Sequence, residues 1–138
     1  MPPDSASLIA RPLLRFPRVV VAAPSYLRRH GTPRDPSALA RHECLVQLGG
    51  AAPLATWRLR RGEEERAVDV AGRLRATAPV ALLHAACAGT GVALLPDWLV
   101  GDDLAAGALH RVLAGWESPP VTIWAIQMAW IPITAAGI

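Results

Sequence analysis

Thr77 stands where a short run, Arg73 to Ala76, gives way to a helical stretch, and a threonine there has two chemical uses. Its hydroxyl can cap the helix by accepting from a free first-turn amide, and the neighbouring amides can receive a carboxylate or phosphate. The cap is the plainer of the two. Gly49-Gly50 closes another apolar run, Cys44 to Leu48, with bare backbone that could border a pocket or merely turn the chain. Candidates for catalysis are thin. His30, His42, His84 and His110 are scattered, and although Asp35 and His42 could meet across one short helix, no nucleophile accompanies them. His84 lies on an apolar helix and reads as a partly buried or surface ring rather than a base. Cys44 and Cys87 lie far apart without metal-ligand spacing and read as small buried hydrophobes. No catalytic residue, metal site or cofactor is therefore expected.

The elements that position these residues follow from the hydrophobic pattern. Arg18-Val-Val-Val-Ala-Ala has the continuous β-branched and apolar form of a strand buried on both faces, which implies a parallel sheet. Ser25 to His30 reads as a short helix with Pro24 at its entry and Gly31 past its end. A second begins at Asp35, a side chain able to cap, with Pro36 in the first helical position and Leu39 as core anchor. Thr56 to Leu59 and Arg66 to Val70 alternate apolar with polar residues around Arg61-Gly62-Glu63, the pattern of a half-exposed hairpin with a solvated, charged tip. Gly72 to Pro96 is the most informative segment: a strand at Arg73 to Ala76, a helix from about Ala78 to Ala88, and a strand from Gly91 to Leu95. This is a β-α-β unit, and in such sheets ligands settle at the carboxyl ends of strands. Trp98 and Leu99 open a further short helix, and Leu109 to Leu113 and Val121 to Met128 read as strands.

Composition narrows the class. Apolar residues make up 52% of the 138 and charged residues 18%, enough to bury a core and too hydrophobic for disorder. All 14 basic residues are arginine, spread from Arg11 to Arg111 with acidic residues between them. A net charge of +3 without a basic stripe argues against a dedicated nucleic-acid face. The uncharged stretches Ala76 to Pro96 and Ser118 to Ile138 are broken by Pro79, Gly89, Gly91 and Pro96, and by Pro119, Pro120 and Pro132, so neither suits a membrane span. Asp4 stands where a secretion signal would carry positive charge, which points to the cytoplasm.

Several blocks, taken in order, resemble one family, the LysR-type transcriptional regulators. Asp4-Ser-Ala-Ser-Leu-Ile-Ala-Arg-Pro-Leu13 resembles the strand by which that family's chain crosses between two lobes. Val20 to Pro33, with Pro24-Ser-Tyr-Leu27 and Gly31-Thr-Pro33, then Pro36 and Leu39, resembles its most recognisable passage. Ala86 to Val100 is similar to its helix, glycine turn and strand, and Leu104 to Leu113 to the strand that follows. The resemblance runs from Asp4 to about Ile126. The family's winged helix-turn-helix, linker helix and first half of the sensing domain have no counterpart here, and Gln127 to Ile138 is uncharged where the family continues through a basic segment.

The resemblance implies an α/β fold: a periplasmic-binding-protein-like (type 2) lobe with a mixed, mainly parallel sheet flanked by helices, part of an incomplete two-lobed domain. Residues 1–17 would be the crossing segment, 18–113 the second lobe, and 114–138 a return strand with an atypical tail. It implies a small-molecule effector, with a helix start suited to an anion, bound at Leu48, Gly49, Gly50, Thr77 and Ala78. It further implies a homo-oligomer in the intact family, DNA contact only through a helix-turn-helix absent from this chain, and no membrane partner. The alternatives are a lobe of a transport-type solute-binding protein, which an export signal would mark, and an inactive truncated gene product.

Overall fold

Residues 6–49 and 52–130 are described by the computed structural model, in two units. One, Phe16–Pro120, carries nearly all the regular structure; the other comprises Met1–Arg15 and Val121–Ile138. In the smaller unit β1 (Ala6–Phe16) pairs with β10 (Val121–Trp130) as a two-stranded sheet. Gly50 and the tail 131–138 lie outside the described residues.

The larger unit is built on β2 (Arg18–Ala22), whose Val19 to Ala22 are all buried. Helix α1 (Pro24–His30) and a 3-10 turn (Pro36–Arg41) lead to β3 (Cys44–Gly49) and β4 (Ala52–Leu54). The hairpin β5 (Thr56–Arg61) and β6 (Glu64–Asp69) precedes β7 (Arg75–Ala76), α2 (Pro79–Cys87) and β8 (Val92–Pro96). Helix α3 (Asp97–Ala106) and β9 (His110–Arg111) complete the unit. The expected β-α-β unit is present: β7 and β8 both run parallel to β3.

The sheet is mixed but not mainly parallel, which corrects the expectation. Strand β2 lies antiparallel to β8 and to β9, and β3 antiparallel to β4. The apolar run Val19 to Ala22 records burial on both faces, and burial carries no information about the direction of the neighbours. Alternation divides the core into two. Val19, Val21, Leu45, Ala93 and Leu95 face α2 and α3 through Leu82, Ala86 and Val100. Val20, Ala22, Cys44, Val46, Val92 and Leu94 face the hairpin and the loops, meeting Trp57, Leu59, Tyr26, Leu39 and Trp116.

Three local expectations shift. The Asp35 cap forms, with its carboxylate accepting from the Ser37 amide at 2.9 Å, but the turn it starts is 3-10 rather than α. Leu39, fully buried as expected, is the side chain that holds so short a turn in place. Only His110 and Arg111 of the run Leu109 to Leu113 form a strand, because Leu113 takes a left-handed φ of 53° and turns the chain toward Trp116. The strand before α2 is likewise confined to Arg75 and Ala76.

Candidate functional site

Because β3, β7 and β8 run parallel, their carboxyl ends emerge at one end of the sheet. Leu48 and Gly49 close β3 there. Gln47 pairs with Ala76 of β7 on one side and with Leu54 of β4 on the other, so Thr77 follows β7 directly beside Leu48. The Gln47 amide reinforces the junction, with Nε2 donating to the Thr77 carbonyl at 3.4 Å. Four of the residues expected from sequence, Leu48, Gly49, Thr77 and Ala78, are thus brought together, and Gly50 lies outside the described residues. Space over Gly49 is open: a Cβ built there meets nothing within 4 Å.

The expected capping role of Thr77 is not what the structure shows. Pro79 occupies the first position of α2, so the cap falls on Ala78, whose methyl group accepts nothing. The Ala81 and Leu82 amides both donate to the Ala78 carbonyl, and Pro79 has no N–H. Val80, half exposed, keeps the one first-turn amide without a backbone acceptor among the described bonds. Thr77 is exposed and its hydroxyl does not cap α2.

The start of β2 reaches the same end of the sheet, since Arg18 pairs with Pro96, the last residue of β8. Sequence reasoning missed Arg18, which it took only as the first residue of a strand. Burial lowers the pKa of its guanidinium from the ordinary arginine value. A charged side chain opening a hydrophobic run was the one available signal.

Other candidates go elsewhere. Asp35 is taken up by Ser37, and His42 Nδ1 lies 2.7 Å from the Tyr26 hydroxyl, so the two do not work as a pair. Cys44 is buried with its Sγ 3.5 Å from the Leu39 carbonyl, and burial pushes its thiol up to about 12. Cys87 is half-buried, its Sγ 3.6 Å from Asp103 Oδ1, and is likewise raised, first by burial. Neither thiol is an activated nucleophile. Two clefts, of about 390 and 490 Å³, open away from Thr77. The first is lined by Arg29, Glu43, Arg73 and Thr90 at the opposite end of the sheet, and the second by the turn around Asp35 and Arg41.

The strand-end edge presents an exposed threonine, bare glycine backbone and the uncapped start of α2. A family model described as the LysR substrate binding domain matches residues 1–130. The chain belongs to that family. It is 36% identical over 124 residues to the HTH-type transcriptional regulator PtxR of Pseudomonas aeruginosa, covering 90% of this chain and 39% of PtxR. To the HTH-type transcriptional activator TtdR of Escherichia coli strain 536 it is 34% identical over 118 residues, covering 86% of this chain and 38% of TtdR. The chain therefore spans under two-fifths of these relatives, the part matched being the LysR substrate binding domain. Among solved structures, the regulatory domain of the C227S variant of AphB from Vibrio vulnificus superposes with a TM-score of 0.78 at 28% identity, covering 96% of this chain and 70% of that one. The periplasmic-binding-protein-like lobe expected from sequence is the fold shared with these regulatory domains.

Proposed function

We propose that this chain is the effector-sensing lobe of a LysR-type transcriptional regulator, and that a small anionic molecule binds at Leu48, Gly49, Thr77 and Ala78. The observation that carries the reading is the junction itself. Adjacent parallel strands β3 and β7 end side by side, with open space over Gly49 and an uncapped helix start immediately after Thr77. Ligands of open α/β sheets settle at this end of the strands, and a helix amino terminus favours negative charge. The reading places no catalytic step on this chain. Its work is to bind the effector more tightly in one of two states of the oligomer, with DNA contacted through a helix-turn-helix of the kind named in its relatives. The absence, among the described residues, of any helix long and apolar enough to cross a membrane is compatible with action in the cytoplasm.

The test is calorimetry of the chain and of Thr77→Val against a panel of small carboxylates and inorganic phosphate. Loss of one hydrogen bond to the ligand should weaken binding by roughly three- to tenfold. An affinity unchanged in Thr77→Val would remove the threonine from the site.

A further inference from the structure

Arg18 raises a question that the fold alone does not answer. Its Nε is buried and has no hydrogen-bond partner. Among the described residues its guanidinium makes no ion pair either, while its backbone is fully engaged: the amide donates to Ser118 Oγ at 2.9 Å and the carbonyl accepts from the Ser118 amide at 2.9 Å. Pro17 adjoins it in the chain and Pro96 pairs with it in register, and a proline has no N–H and no polar side chain. Two acidic residues adjoining its backbone partners, Glu117 and Asp97, are otherwise placed. Glu117 sits 3.7 Å from Arg111, and Asp97 is exposed in the first turn of α3. A buried donor left unmade costs about 1–3 kcal/mol, and more when it is charged, so native structures rarely keep one without a use.

Position supplies that use. Arg18 shares its face of β2 with Val20 and Ala22, and Leu48 shares the same face of the sheet with Cys44 and Val46. Both stand at the end of the sheet where β3, β7 and β8 finish. Resting on the effector reading above, we infer that Arg18 is the anion-binding residue of this sheet end and that its ligand is a small molecule bearing a carboxylate. A guanidinium presents a planar fork that matches a carboxylate through two parallel N–H···O bonds, which fixes the orientation of the ligand as well as its charge. Binding would give the orphaned donor its partner, so the energy stored in the free lobe is released only when the carboxylate arrives.

The experiment compares wild type, Arg18→Gln and Arg18→Met with sodium acetate, succinate and benzoate as probes, each set against its neutral amide. Without ligand, both variants should melt at or above the wild-type temperature, because removing an uncompensated buried charge costs nothing or stabilises. With ligand, at least one carboxylate should raise the wild-type melting temperature while its amide does not, and both variants should lose at least tenfold in affinity for it. A wild-type chain that binds none of the carboxylates, or variants that bind as tightly as wild type, would overturn the assignment. Tight binding retained in the Arg18 variants but lost in Thr77→Val would leave the effector site standing without Arg18. Variants that melt well below wild type without ligand would show that an internal partner holds the guanidinium, and would also overturn it.

Discussion

The Tyr26 hydroxyl accepts from the Glu43 amide at 3.1 Å and lies 2.7 Å from His42 Nδ1, so one oxygen ties α1 to the start of β3. Having accepted from Glu43, it has its own proton to give, which suits a neutral His42 with Nδ1 as acceptor. Burial, followed by the positive neighbours His30 and Arg41, holds the His42 pKa below the ordinary 6.5. The sign follows: the folded chain binds the His42 proton less readily than the unfolded one, so stability is complete above about pH 6.5 and declines as pH falls through the folded value. A melting series from pH 7.5 to 5.5 should fall for wild type and flatten for His42→Gln; parallel curves would contradict this. Tyr26→Phe leaves a partly buried acceptor and donor without this partner and should cost about 1 kcal/mol by denaturant unfolding.

At the scale of elements, the junction of β3 with β7 depends on how closely their backbones approach. A Cβ at Gly72 would fall on the Cys44 carbonyl oxygen, in the same residue whose amide donates to the Ala71 carbonyl. Gly72→Ala should therefore destabilise by about 1–3 kcal/mol, since backbone must move to admit a methyl group. Gly49→Ala meets open space and should melt like wild type, yet weaken carboxylate binding by crowding the edge beside Thr77. Equal losses in both variants would contradict the separation of scaffold from site.

These elements also show what could be read from the residues. The hairpin, the β-α-β unit, the Asp35 cap and the burial of Leu39 were legible because each rests on a local pattern of period, proline or cap. Strand direction was not, because Val19 to Ala22 would look the same with neighbours of either sense. The cap on α2 was misplaced by one residue because Pro79, rather than Ala78, fixes the first helical position. Arg18 was invisible as a site because what marks it is a missing partner, and that is a property of the folded surroundings.

For the molecule as a whole, the decisive fact is that both core clusters lie within Phe16–Pro120. Each face of the sheet is covered, by α2 and α3 on one side and by the hairpin, α1 and Trp116 on the other. Arg61 completes the second cover by stacking 4.6 Å from the Trp116 ring while pairing with Glu64 at 3.1 Å. A polypeptide of residues 16–120 should therefore melt in a single cooperative transition; a broad, non-cooperative melt would show that its core needs the rest of the chain. In the smaller unit a two-stranded sheet exposes Leu13, Leu14, Ile123, Trp124 and Ile126, and two strands alone are marginal in water.

The central claim, that the strand-end edge of this lobe receives a carboxylate effector, is tested most directly by amide NMR spectra of the ¹⁵N-labelled chain during titration with sodium succinate, acetate and benzoate. The account predicts saturable shifts for at least one of them at Leu48, Gly49, Ala78 and Val80, with the Arg18 Nε–H signal moving at the same ligand concentration. Shifts centred instead on Glu43, Gly89 and Thr90, at the far end of the sheet, or no saturable shift with any of the three, would contradict it.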